Sequence, residues 1–143
     1  MIVYADTGFL ISLYGDDDNS AAATALLKSK PVFMLTPLGE AEFMNAVELR
    51  VFHKQWMRRQ AHAVREDFLQ DYGAGVFQIE PLGPEVWQAA LIFSRRHTAT
   101  LGVRTLDLLH VAAVSVLKPD AFYSFDKRQR KVAKAERLPL LPA

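Results

Sequence analysis

Short apolar runs alternate with longer helical patterns along the whole chain, and this alternation limits the fold more than any other feature. Ile2–Ala5, Val32–Leu35, Phe77–Ile79 and Ala121–Ser124 read as strands, each a few residues long and bounded by turn or cap residues. Helical patterns lie between them. Phe9 to Tyr14 is followed by the Asp16-Asp17-Asp18-Asn19-Ser20 turn and cap, and then by Ala21 to Leu27. Thr36-Pro37 opens a helix running to about His53, and another fits Trp56 to Tyr72. Pro84 suits the first turn of a helix through Trp87, Leu91 and Phe93. Thr105 reads as a cap for Leu106 to Leu117, and Lys127 to Glu136 is a basic helix. Leu138–Leu141 reads as an edge strand interrupted by Pro139. Strands separated by helices pair in parallel, so the expectation is an α/β domain with a parallel sheet, occupying residues 1–143 as one unit.

Composition narrows the chemistry. The chain has no cysteine, which removes disulfide scaffolds, Cys-ligated zinc, iron–sulfur clusters and thiol nucleophiles together. The four histidines form no His-x-x-x-His pair. The net charge is only +1, so any nucleic-acid affinity has to come from a local basic face. The stretch from Met1 to Asp6 has neither a basic region nor a long apolar one, and the expectation is a soluble, cytoplasmic protein.

In open α/β sheets chemistry gathers outside the carboxyl ends of the strands. Asp6 and Asp126 follow predicted strands directly, while Glu42 and Asp107 lie within apolar helical patterns where an unpaired carboxylate is costly to bury. Each alone reads equally as a cap or an ion-pair partner. Four carboxylates meeting at one sheet edge would repel one another, and a hard divalent cation such as Mg²⁺ or Mn²⁺ relieves that repulsion through oxygen ligands.

The segments around these acids resemble the PIN-domain family, specifically the single-domain toxin endoribonuclease of a VapBC-type toxin–antitoxin pair. Val3-Tyr-Ala-Asp6-Thr7 resembles its first strand and first acid, and Glu42-Phe-Met-Asn45-Ala46 its Glu-x-x-Asn-Ala helix. Arg104-Thr-Leu-Asp107-Leu-Leu-His-Val-Ala-Ala resembles its third acidic segment, and Ser124-Phe-Asp126-Lys-Arg-Gln its fourth. The ordered set spans essentially the whole chain. Gly8 and Glu136-Arg137 depart from the family pattern, the latter where members often carry glycine before the last strand. Glu40 competes with Glu42, but Asn45 shares the face of Glu42 and fits the family pattern.

The resemblance implies a three-layer α/β/α domain with a central, mostly parallel sheet, and metal-dependent hydrolysis of RNA phosphodiesters. Asp6, Glu42, Asp107 and Asp126 would be the catalytic and metal-holding acids, with Mg²⁺ the expected ion and Mn²⁺ an alternative. Thr7, Asn45 and Ser124 are candidate donors that orient them. His110 reads as an ordinary helix histidine. The expected partners are an RNA substrate, a small antitoxin and a second copy in a homodimer, with no membrane. Phe9, Tyr14, Phe43, Phe52 and Trp56 are large apolar groups open to either core or dimer roles, and Trp56 reads as core or interface sooner than as a base-stacking platform.

Charge is unevenly spread. Residues 1–48 hold two basic and seven acidic side chains, a net −5. Residues 49–65 hold Arg50, Lys54, Arg58, Arg59 and Arg65 and no acid, and residues 121–137 hold six basic and two acidic groups, including Lys127 and Arg128. Arg50, Lys54, Arg58, Arg59, Lys127 and Arg128 are therefore candidate phosphate contacts. Arg104 is either a phosphate contact or an ion-pair partner of Asp107, and the spacing favours the pair. Rival classes lack their signatures: position 8 is Gly where a haloacid-dehalogenase-type phosphatase needs a second Asp, and no Gly-rich phosphate loop exists. A non-catalytic PIN-like module binding RNA or protein, and a solitary RNA-processing nuclease, remain as alternatives.

Overall fold

Five strands, β1 (Ile2–Ala5), β2 (Val32–Leu35), β3 (Phe77–Ile79), β4 (Ala121–Tyr123) and β5 (Leu140–Leu141), form one sheet in the order β3-β2-β1-β4-β5. The computed structural model describes residues 1–143. Every pairing is parallel, including that of the short terminal strand, where Phe122 pairs with Leu140 and Tyr123 with Leu141. The sheet is thus wholly parallel, one step beyond the mostly parallel expectation. Pro139 lies before β5 and contributes only its carbonyl, which accepts from Phe122 N at 2.8 Å, so the missing N–H costs the sheet nothing.

The helices are α1 (Thr7–Tyr14), α2 (Ser20–Leu26), α3 (Pro37–Phe52), α4 (Arg58–Gly73), α5 (Pro84–Phe93), α6 (Ala99–Leu101), α7 (Thr105–Leu117) and α8 (Lys127–Ala135). Strand side chains alternate between the two faces. Val3, Ala5, Phe33, Leu35 and Tyr123 face a core shared with α1, α3 and α4. Tyr4, Met34 and Phe122 face a second core shared with α5, α7 and α8. The three-layer α/β/α arrangement follows, with both sheet faces covered as a parallel sheet requires.

Aromatic packing ties α1, α3 and α4 together. The Phe43 and Phe68 rings stack at 4.1 Å between centroids, and Tyr14 meets both edge-on. Trp56 falls outside α4, which starts two residues later than expected, and its ring is buried in this core. Gly15 makes room for it: a Cβ there would lie 2.5 Å from the indole. Of the five large apolar groups open to a dimer role, Phe9, Phe43 and Trp56 are core, Tyr14 packs against it, and only Phe52 is free, at 77% exposure.

Several local expectations change: α1 begins at Thr7, two residues before Phe9, and β4 ends at Tyr123, one residue before Ser124. Thr105 is the first residue of α7 instead of its cap, with Arg104 in the cap position and no side-chain cap bond. The chain after α5 stays helical through a π-turn at Ser94–Thr98 and through α6, ending at Gly102 with φ +63°. Glu136, beside the end of α8, holds this turn by accepting from Arg96 and His97, each at 2.6 Å. That long-range tie carries no local sequence signal.

Candidate active site

The strand order reverses at β1: the chain goes from β1 outward to β2 and β3, then returns to β4 on the other side. The carboxyl ends of β1 and β4 therefore flank the switch point, where open α/β sheets form their ligand crevice. Asp6 follows β1 and Asp126 lies just beyond β4.

Each acid is placed by a local rule. Asp6 caps α1, its Oδ1 accepting from Phe9 N at 2.7 Å, and Asp126 caps α8, its Oδ1 accepting from Gln129 N at 2.8 Å. Asp107 sits in the first turn of α7, favoured by the helix dipole, yet it is buried. Glu42 lies in the second turn of α3, half-buried at 24% side-chain exposure.

The tertiary structure links all four into one circuit. Ser124 Oγ donates to Asp6 Oδ2 and accepts from Asp126 N at 3.1 Å. Gln129, which takes its backbone N–H to Asp126, donates its side-chain amide to Asp107 Oδ1 at 3.2 Å. One turn along α7 from Asp107, His110 Nε2 bonds Glu42 Oε1. Thr7, next to Asp6, donates to the same Oε1 at 3.0 Å and closes the circuit. Of the three candidate donors, Thr7 thus meets Glu42 and Ser124 meets Asp6, while Asn45 is exposed and makes no hydrogen bond to an acid. Glu40 stays in the first turn of α3, outside the circuit.

Burial dominates the electrostatics. It pushes the fully buried Asp6 carboxyl up to about 6, against the Ser124 and Phe9 hydrogen bonds, and the Asp126 charge adds to the rise. Burial also pulls Glu42 up, but the His110 and Thr7 contacts outweigh it and hold Glu42 below the ordinary carboxylate value. Burial raises the Tyr4 phenol well above its usual value, and the charges of Asp6 and Glu42 add to that.

The basic residues divide. Arg104 Nε lies 3.4 Å from Asp107 Oδ2 with its side chain 70% exposed, which is the ion pair the spacing favoured. Lys127 and Arg128 are exposed on the first turn of α8. Arg58 and Arg59 join His62 and Arg65 around a cleft of about 310 Å³ at the start of α4, with Glu48 of α3 on its far wall. Arg65 pairs with Glu48 at 2.8 Å, whereas Arg58 stands 4.0 Å from it and is 83% exposed. Arg50 lies over the Trp56 ring at 5.7 Å, and Lys54 follows α3 with φ +57°.

Sequence reasoning missed three residues of the site. Gln129 bridges Asp107 and Asp126, and His110 bridges to Glu42. Arg130 donates to the Ser124 carbonyl and to the Pro142 carbonyl, each at 2.8 Å, pinning the loop after β4. The available signal was a polar residue in an apolar stripe: His110 is 2% exposed among Leu108, Leu109, Val111 and Ala112.

The PIN domain profile matches residues 3–135, which take in all four acids. The chain belongs to the PIN-domain family. Comparison with curated proteins gives no significant match. Among solved structures, the PIN fold of this chain is similar to that of FitAcB from Neisseria gonorrhoeae, at a TM-score of 0.70 and 18% identity, covering 98% of this chain and 96% of that one. VapC20 from Mycobacterium tuberculosis, described as a sarcin–ricin-loop-cleaving toxin, gives 0.67 and 21%, covering 90% and 94%. VapBC2 from Rickettsia felis, bound to a DNA fragment from its promoter, gives 0.66 and 15%, covering 98% and 97%. No helix of the PIN domain here is long and apolar enough to cross a membrane.

Proposed function

We propose that this PIN-domain protein is a divalent-metal-dependent endoribonuclease and the toxin of a toxin–antitoxin pair. The observation that carries the reading is the gathering of Asp6, Asp107 and Asp126 through Ser124 and Gln129 at the switch point of the sheet, with Glu42 joined to them by Thr7, next to Asp6, and by His110, one turn from Asp107. VapC20, a fold relative, bears the description of an RNA-cleaving toxin, and VapBC2 and FitAcB are similar to the chain over nearly its whole length.

The residues fit a hard cation. All four acids offer oxygen ligands, and Asp6 is buried with its charge only partly compensated. Gln129 Oε1, buried beside Asp107, has no hydrogen-bond partner. No three His, Asp or Glu groups converge closely enough to enclose an ion by themselves. An ion here would be held by one or two of these carboxylates, with waters and substrate phosphate oxygens completing its shell, as is common for Mg²⁺. When bound, such an ion would polarise a phosphoryl oxygen and lower the pKa of a coordinated water.

The chain's own groups do the rest. Ser124 and Thr7 hold Asp6 and Glu42 in place. Gln129 keeps Asp107 and Asp126 at a fixed separation. Arg104 partly neutralises Asp107 at the solvent side, which eases the approach of an anionic backbone. Arg58, Arg59, Lys127 and Arg128, exposed on two helices, contact phosphates beyond the cleaved bond and position the RNA without reading its sequence. Arg50 and Lys54 extend that basic track along the end of α3.

A small antitoxin and a homodimer belong to the same reading. Trp87, Leu91 and Ile92 on α5 and Leu106 on α7 are about half exposed or more, and they provide apolar surface for protein contact.

The test is cleavage of a structured RNA by purified protein with and without Mg²⁺ or Mn²⁺. Asp107→Asn should abolish cleavage while leaving RNA binding intact or tighter, because a negative charge is removed. Cleavage that survives EDTA, or full activity in Asp107→Asn, would overturn the proposal in favour of a non-catalytic PIN-like module or another chemistry.

A further inference from the structure

His110 is an anomaly in α7. Its neighbours on the helix are buried and apolar, and a leucine there would pack against the sheet without any polar group to satisfy. Instead both ring nitrogens are engaged. Nε2 bonds Glu42 Oε1, and Nδ1 lies 2.8 Å from the Tyr4 hydroxyl. Three elements meet in this line: β1 through Tyr4, α7 through His110 and α3 through Glu42.

The hydrogen positions follow from chemistry. An ionised carboxylate only accepts, so Nε2 carries a proton and donates it to Glu42. On the other side of the ring, the Tyr4 hydroxyl shares a hydrogen bond with Nδ1 at 2.8 Å. Packing fixes the start of the line. The Tyr4 ring meets Phe122 edge-on at 5.9 Å and His110 edge-on at 5.8 Å, and it is 2% exposed. A buried tyrosine packed on both sides meets the imidazole, and the imidazole meets the carboxylate.

The other end shows what the line achieves. Thr7 and His110 both donate to Oε1 of Glu42, and Oε2 has no hydrogen bond from the protein. One oxygen is dedicated to the fold and the other is left for a ligand. We infer that Tyr4 and His110 are positioning residues that fix Glu42 so that its Oε2 is presented to a divalent cation. This rests on the metal-dependent reading above. The relay is the arrangement by which outer hydrogen bonds orient metal-holding groups, and losing such bonds typically costs 10- to 100-fold in metal affinity.

The experiment is Mn²⁺ titration of the purified protein by calorimetry, alongside steady-state cleavage kinetics and thermal melting. Tyr4→Phe removes one hydroxyl and keeps the ring. It should weaken Mn²⁺ binding about tenfold and lower kcat with KM for RNA unchanged. His110→Ala should weaken Mn²⁺ binding further, and His110→Gln, which keeps a donor toward Glu42, should restore part of it. Should His110→Ala fail to fold, Tyr4→Phe and His110→Gln decide the matter. Wild-type Mn²⁺ affinity in Tyr4→Phe and His110→Gln, beside a clear loss in Glu42→Gln, would overturn the relay and leave the metal site standing. Unchanged Mn²⁺ affinity in Glu42→Gln would overturn both.

Discussion

Ser124 closes the gap between the two central strands by donating its hydroxyl to Asp6 Oδ2. Both residues are buried, and β1 and β4 are adjacent in the sheet, so the bond holds an acid where the carboxyl ends of the two strands meet. The acid pays for that position in solvation, and its charge is the most testable feature of the site.

Asp6 has its folded pKa raised from 3.8 to about 6. The folded state therefore binds the proton more tightly than the unfolded state. Its contribution to stability is intact below about pH 4 and is lost as pH rises to 6, by up to about 3 kcal/mol. Asp6→Asn, which keeps the cap, should match the wild type near pH 4 and exceed it in stability above pH 6. Urea denaturation across pH 4–8 measures this. Mn²⁺ should stabilise the wild type at neutral pH and leave the variant largely unmoved. A pH-independent difference between the two proteins would contradict the assignment.

Gly15 lies against the Trp56 ring, where a Cβ would meet the indole at 2.5 Å and the Ile11 carbonyl at 2.8 Å. Gly15→Ala should cost about 1–3 kcal/mol through overpacking. Trp56→Phe, which shortens the ring system, should cost less in the Gly15→Ala background than alone. Denaturant melts of the four proteins in that cycle give the coupling, and strict additivity would show that the contact is not tight.

Arg137 ends α8 with φ +56°, a left-handed position that glycine fills without strain. This is the segment where family members often carry glycine. Arg137→Gly should raise stability by about 0.5–1 kcal/mol, since relief of the left-handed strain exceeds the added freedom of the unfolded chain. A fall in melting temperature would mean that the arginine side chain contributes more than its backbone costs.

Arg58 and Arg59 are exposed at the mouth of the basic cleft, so replacing both with Gln should change stability by less than about 0.5 kcal/mol. RNA affinity should fall for all sequences alike, and the slope of log affinity against log salt should flatten by about 1.4 if each arginine neutralises one single-strand phosphate. A salt series of binding isotherms reads both quantities. An unchanged slope would leave the cleft as a solvated helix face.

The amino-acid sequence by itself determined the alternation of strands and helices, because short apolar runs and helical apolar spacing are local. The bounds of β1, β2 and β3 followed from a few neighbouring residues, whereas the cap that Asp6 places on α1, starting that helix at Thr7, did not. The choice of Asp6, Glu42, Asp107 and Asp126 came from the family resemblance of the ordered segments around them, since each acid alone reads equally as a cap or an ion-pair partner. Only the tertiary structure decided how those acids are held. Gln129, His110 and Arg130 look like ordinary helix residues until α7 and α8 pack on the sheet and bring them against Asp107, Glu42 and Ser124. Asn45, which shares a helix face with Glu42 in sequence, is exposed, and the donors that meet Glu42 come from Thr7 and His110. Tyr4 is a strand residue like any other until Phe122 locks its ring. A sequence pattern records which face a residue is on; which hydrogen-bond partner waits across the gap depends on elements far away in the chain, and that is settled only when they pack.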